Sequence, residues 1–170
     1  MIDSKKIAVT AVMTAFVYVM TCISFPMPPP LGVWHLGDIA SFLVAILCGP
    51  YIGAFACGVG AMFFDIWNPL WGSQFITWFP ATIVIRGFMG FLIGFSRKAF
   101  GNNPRLSGIL SMIIGAIEKN FGYFLYDFFL FGSVAFLDLI TFFPLSALDI
   151  VIAVPLLEAI RKMLKVNYIF

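Results

Sequence analysis

Charge is what this sequence has least of. Lys, Arg, Asp and Glu together make up 11% of its 170 residues, where a soluble domain carries about a quarter. With 62% hydrophobic residues and a mean hydropathy of +1.04, too few polar side chains remain to cover a globular surface. An ordinary soluble fold is excluded. Metal-ligating residues are scarce too, with one histidine and three cysteines. Cys22, Cys48 and Cys57 lie in apolar stretches without metal-ligand spacing, so neither a disulfide framework nor a catalytic metal site is indicated. No G-x-x-x-x-G-K-[ST] loop occurs, so the chain should not hydrolyse ATP itself. G-x-S-x-G is missing, and no basic surface suits nucleic acid.

What the sequence has in abundance is apolar runs. Stretches near twenty residues recur between polar breaks, the pattern of a polytopic membrane protein. Six spans fit, at about 6–25, 36–48, 51–66, 77–96, 107–131 and 144–162, in a single integral membrane domain covering 1–170. The opening "MIDSKKIAVTAVMTAFVYVMTC" carries an apolar run longer than a signal-peptide core and lacks a small-x-small cleavage site, so it reads as the first span. "CGPY" at 48–51 is a tight turn between two helices. "FPMPPPLGVW" at 25–34 is a stiff proline-rich connection that cannot be helical. "NPLWGSQ" at 68–74 and "RKAFGNNPR" at 97–105 are loops.

The ten basic residues set the orientation. Lys5 and Lys6 precede the first span, Arg97, Lys98 and Arg105 lie between the fourth and fifth, and Arg161, Lys162 and Lys165 follow the sixth. With six spans those regions share one side, and the opposite connections contain no Lys or Arg. The positive-inside rule therefore expects both termini in the cytoplasm of a multi-pass protein of the cell membrane. Two basic residues disobey it, Arg86 and Lys119.

Arg86 lies eight residues beyond Trp78, about 12 Å below the outer boundary at 1.5 Å per residue. Lys119 lies twelve residues from the inner end of its span, about 18 Å up. In a hydrocarbon core of roughly 30 Å both reach a similar depth in the outer half. A charge facing lipid near mid-membrane costs at least ~2.5 kcal/mol, so both should face the bundle interior. Internal pairing with Glu118, Asp149 or Asp65, serving packing alone, is one account. A solute pocket is the other. The crowding of polar groups toward one leaflet favours the pocket: Asp149 sits just below the outer start of the sixth span, Asp38, Asp65 and Asp127 near outer helix ends, and His35 at the start of the second span.

The fifth span sharpens this reading. At 100° per residue, Lys119, Asn120, Tyr123, Tyr126 and Asp127 fall in a stripe about 120° wide, which reads as a pocket wall. Trp34, Trp67, Trp71 and Trp78 cluster at the outer boundary and read as interfacial anchors. Small residues mark close helix contacts. Ala8, Ala11 and Ala15 share a face of the first span, and Ala54-x-x-x-Gly58, Ala56-x-x-x-Gly60 and Gly90-x-x-x-Gly94 follow on the third and fourth.

In "VWHLGDIASFLVAILCGPYIGAFACGVGAMFFDI" (33–66) the sequence resembles the second and third spans of S components of energy-coupling factor (ECF) transporters. The basic start before "AVTAVMTAF", the stretch "FPATIVIRGFMGFLIG", and "GYFLYDFFLFG" with a final "PLLEAIRK" are similar too. The resemblance implies an all-α membrane bundle of six transmembrane helices. It implies a subunit that captures a vitamin or vitamin precursor from outside, with members for riboflavin, pyridoxine-like or hydroxymethylpyrimidine substrates nearest. It also implies docking on a membrane T component coupled to two cytoplasmic ATPases, which use the ATP, so no cofactor is expected on this chain. The family's alanine-rich face would fall on Ala8, Ala11 and Ala15, and its lid on 25–34. The candidates for substrate contact are Arg86, Lys119, Asn120, Tyr123, Asp127, Asp149, His35, Asp38 and Asp65. Two other readings compete. An autonomous carrier or channel would need a polar path through both leaflets, and the inner half is nearly uncharged. A membrane enzyme would need a nucleophile or metal set that the sequence does not show.

Overall fold

The computed structural model describes residues 3–27, 32–100, 103–165 and 169. Among the described residues six α-helices run α1 Ser4–Cys22, α2 Gly37–Cys48, α3 Pro50–Ile66, α4 Phe79–Ser96, α5 Pro104–Phe131 and α6 Phe136–Leu164. Their ends carry the local chemistry that stops and starts helices. Asp3 caps α1 by accepting from the Lys5 amide, and Asn103 caps α5 by accepting from Arg105 and Leu106. Pro50, Pro80 and Pro104 occupy first-turn positions, where no amide donor is needed. Between α2 and α3 the chain turns at Gly49 with φ +88°, a conformation that a side chain would strain.

Each helix reverses the one before it, so the molecule has two ends. At one end sit the basic residues, and there they have structural work. Arg97, 4% exposed, donates from Nη1 to the Ile46 carbonyl at 2.6 Å and so caps the C-terminus of α2. The Ile169 amide takes the neighbouring Leu47 carbonyl. Arg105 pairs with Glu158 at 2.7 Å, and Arg161 donates to the Pro104 carbonyl.

α2 forms the axis of the bundle, with all twelve of its residues buried. At about 1.5 Å per residue it is only ~18 Å long, too short to cross a hydrocarbon core of roughly 30 Å by itself. Three stretches are long and apolar enough to cross: Ser4–Cys22, Phe79–Ser96 and the α5–α6 region Pro104–Leu164. Glycine sets the closest approach. A Cβ added at Gly53 would stand 2.9 Å from the Gly90 carbonyl oxygen, and one at Gly58 2.7 Å from that of Ile83. The backbones of α3 and α4 therefore touch, as the small-residue spacing suggested. Gly60 similarly admits the Thr14 carbonyl and Val17 of α1. The alanines of α1 behave otherwise: that helix buries Thr14, Val17 and Thr21, and leaves Ala8, Ala11 and Ala15 exposed.

Two elements differ from the sequence reading. The 25–34 connection is built around an antiparallel ribbon of β1 Ser24–Pro26 and β2 Val33–His35, with Phe25 stacked on Trp34 at 5.4 Å. Pairing to a partner strand, invisible to a local proline count, decides this. Residues 28–31 of the expected lid lie outside the described residues. α6 begins at Phe136, eight residues before the expected start, because a single 3-10 turn at Gly132–Ala135 suffices to reverse the chain. Pro144 consequently falls inside the helix.

Candidate functional site

The end opposite the basic one contains a cavity of about 170 Å³. Its deep part is organised by Asp38, in the first turn of α2. One carboxylate oxygen pairs with Arg86 Nη1 of α4 at 2.5 Å, and the other accepts from Lys119 Nζ of α5. The two buried bases, which counting residues along separate helices put at one depth, meet on one carboxylate. The sequence reading offered Glu118, Asp149 or Asp65 as internal partners; the ion pairs run instead to Asp38. Pairing is needed here, since an isolated charge so deeply buried costs several kcal/mol.

Hydroxyls complete the cluster. Arg86 Nη2 donates to Ser41 Oγ at 3.1 Å, and Lys119 Nζ to Ser146 Oγ at 3.2 Å. Asn120 Nδ2 donates to the same Ser146 oxygen and to the Phe142 carbonyl. Ser41 lies three residues after Asp38 and Ser146 three before Asp149, one helical turn away on the same face. That spacing was the available signal for both serines, and the sequence reading passed over it.

Pairing does not use up the polar groups. Arg86 Nε, Asp65 Oδ2, Asp149 Oδ2 and His35 Nδ1 are buried, line the cavity, and have no hydrogen-bond partner among the described residues. Native proteins leave few such atoms, and each one asks for an explanation. His35 sits in β2, outside the helices, where burial pushes its imidazole down to about 4. Its ring packs against Phe64.

All nine candidate contact residues border this one space. Tyr123 shares a hydrogen bond of 2.8 Å with Thr82, and Asp127 accepts from Trp78 Nε1 at 2.6 Å. Tyr126, placed in the same helical stripe by sequence, turns away and donates to the Thr77 carbonyl. The tryptophans need a correction. Trp34 and Trp78 line the cavity rather than serving only as interfacial anchors, and Trp34 Nε1 donates to Asp149 Oδ1 at 3.1 Å. Trp71 donates instead to Ser24, and Trp67 is 56% exposed.

Below the cavity the residues one turn on from the ion cluster are apolar. One turn toward the basic end, Asp38 gives way to Phe42, Arg86 to Met89, Lys119 to Ala116 and Asp149 to Ala153, all buried in one apolar cluster. A further turn brings Ile46, Ile93, Met112 and Leu157. The arrangement is a cup with a greasy floor. It offers donors, acceptors and aromatic walls to a small solute above a layer of buried apolar side chains.

The sequence matches the ECF-type riboflavin transporter S component family over residues 1–162. The chain belongs to that family. A Pyrococcus woesei protein described only as "uncharacterized protein in gap 3'region" is 33% identical over 110 residues, 65% of this chain and 69% of that one. As an S component, the chain is the substrate-binding subunit of an ECF transporter and not an enzyme. Family membership and the apolar helices make it a multi-pass membrane bundle. The family implies a riboflavin-like substrate and partners from the ECF module.

Proposed function

We propose that the cup around Asp38, Arg86, Lys119 and Asp149 captures a riboflavin-like planar heterocycle from outside the cell. The observation that carries this reading is the set of buried, unpartnered polar atoms facing one cavity. A flavin-type ring is flat and bears donors and acceptors along one edge. It would lie between Trp34, Tyr123 and Trp78 with that edge toward the ion cluster, and aromatic contacts favour such stacking. Asn120, Asp127, His35, Asp38 and Asp65 complete the substrate contacts. The cavity volume favours a second reading for ring size. At about 170 Å³ it is smaller than the ~300–1,000 Å³ of drug-sized sites, which suits a single-ring heterocycle without further opening.

The orientation follows from charge. With six crossings the basic end is cytoplasmic, both termini lie inside, and the cup opens outward. The short, wholly buried α2 can take part because its neighbours, not its own length, face the lipid. The exposed Ala8–Ala11–Ala15 stripe is the surface for the T component, and two cytoplasmic ATPases on that assembly supply the power. Closing the site over bound solute falls to the 25–34 segment. The test is to purify the chain from cells grown in rich medium and identify co-purifying small molecules by mass spectrometry. Titration with riboflavin, followed by quenching of its fluorescence, completes it. Recovery of a stoichiometric heterocycle supports the reading; a ligand-free protein that also fails to quench riboflavin overturns it.

A further inference from the structure

The hairpin between α5 and α6 outgrows its neighbour α4 at the cup end. α4 begins at Phe79, and the residues just before it fix its level: Tyr126 donates to the Thr77 carbonyl, and Asp127 accepts from Trp78 Nε1. α5 continues past that level to Phe131, a further turn of helix. With 28 residues it measures about 42 Å, against about 27 Å for the 18-residue α4 and a hydrocarbon core of roughly 30 Å.

The overhang carries no charge. Between Asp127 and Asp138 runs "FFLFGSVAFL", whose one polar side chain is Ser133. Both flanking carboxyl groups line the cavity, which leaves the outside of the tip apolar. Phe129 is 86% exposed, and Leu130, Phe131, Val134, Phe136 and Leu137 are each close to half exposed. Exposed apolar surface continues down the two helices at Leu125 and Ile140. The 67–78 connection at the same end differs, since it bears Asn68, Ser73, Gln74 and Thr77.

The turn also satisfies its own backbone. Gly132 N–H donates to the Phe128 carbonyl, and Phe136 N–H to that of Ser133. Lipid admits only backbone that is hydrogen-bonded within the protein. In water, an apolar patch of this kind would drive association instead.

We infer that the α5–α6 tip, residues 128–137, is embedded among the lipid chains of the leaflet at the cup end and does not project into water. On that side lipid rises above Asp127 and Asp138, and the mouth of the cup is sunk below the membrane surface. A hydrophobic helix longer than the hydrocarbon core is accommodated by tilt or by local thickening of the bilayer. Phe124 and Phe128 of α5, packed edge-on against Phe136 of α6, hold the hairpin together. What the cup binds has no bearing on this placement.

The test puts a nitrobenzoxadiazole label on the tip of the full chain in phosphatidylcholine vesicles. Cys22→Ala removes the one thiol that is not buried, and Phe129→Cys then takes the label. Ser73→Cys, at an exposed position of the 67–78 connection, is the aqueous control. At position 129 the emission should be strongly quenched by doxyl groups on the lipid chains, and the iodide quenching constant should be several-fold below that at position 73. Val134→Cys, on the other side of the turn, repeats the reading should the first variant not fold. Iodide quenching at the tip equal to that at position 73 would overturn the inference. So would a label shielded from both quenchers, because protein and not lipid would then cover the tip. Either result leaves the solute site standing.

Discussion

Asp38→Asn is the substitution that tests the architecture most directly. It changes one unit of charge and almost no volume, yet it strands two cations at once, because Arg86 and Lys119 share that carboxylate with side chains only 3% and 7% exposed. Breaking a buried ion pair by removing one partner costs about 3–5 kcal/mol. Ser41 and Ser146 remain as hydroxyl partners, but they carry no charge to offset two cations held side by side. At the soluble-domain scale of about 2–4 °C per kcal/mol, the unfolding midpoint should fall by roughly 6–20 °C. Tryptophan fluorescence of the ligand-free protein in detergent reads it, since Trp34 and Trp78 border the same cavity. The double variant Asp38→Asn/Lys119→Met removes one stranded cation and should recover part of the loss, so the two substitutions should be far from additive. An unchanged midpoint for Asp38→Asn, or a double variant whose loss is the simple sum of the single losses, would refute the reasoning.

Three further expectations follow from other parts of the molecule. Gly90→Ala would drive a methyl group onto the Gly53 backbone and should destabilise the bundle by about 1–3 kcal/mol, the ordinary cost of overpacking; thermal unfolding checks it. Ala11→Trp, on the exposed face of α1, should impair co-purification with a T component while leaving solute binding by the isolated subunit unchanged, and loss of both would mean that the face packs internally. His35 gives a pH signature whose sign is fixed. Its folded value of about 4 lies below the ordinary 6.5, so the unfolded chain takes up the proton first. The stability owed to neutral His35 is complete above pH 6.5 and is lost as the pH falls toward 4. His35→Phe should flatten that part of the stability profile, and an unaltered slope would show that the histidine is not responsible.

How far the site was legible depends on which coordinate is asked for. Depth along a helix follows from residue counting, since each residue advances about 1.5 Å. That is why Arg86 and Lys119 could be placed at one level from separate helices, and they do share a carboxylate. Azimuth between helices does not follow. Asp38 was recognised as a polar residue near a helix end, but its place on the axis of the bundle depends on α2 being enclosed on every side, which no local pattern in its sequence announces. The anchor reading of Trp34 and Trp78 was incomplete for the related reason that a belt anchor and a pocket wall look alike in one dimension. Trp34 and Trp78 became walls because Asp149 and Asp127, 115 and 49 positions away, accept their indole N–H groups.

The sequence by itself determined the solvent, the helix ends marked by proline, glycine or a capping side chain, and the level of the buried charges, but not the start of α6. Lipid excludes unpaired polar backbone, proline and glycine restrict local dihedrals, and rise per residue is constant, so each of these is a short-range matter. Tertiary structure decided which acid neutralises which base, which aromatic rings enclose the cavity, and that a ribbon forms where prolines suggested only a stiff, non-helical connection. Those outcomes require contacts between residues far apart in the chain, and only the packed bundle brings them within reach of one another.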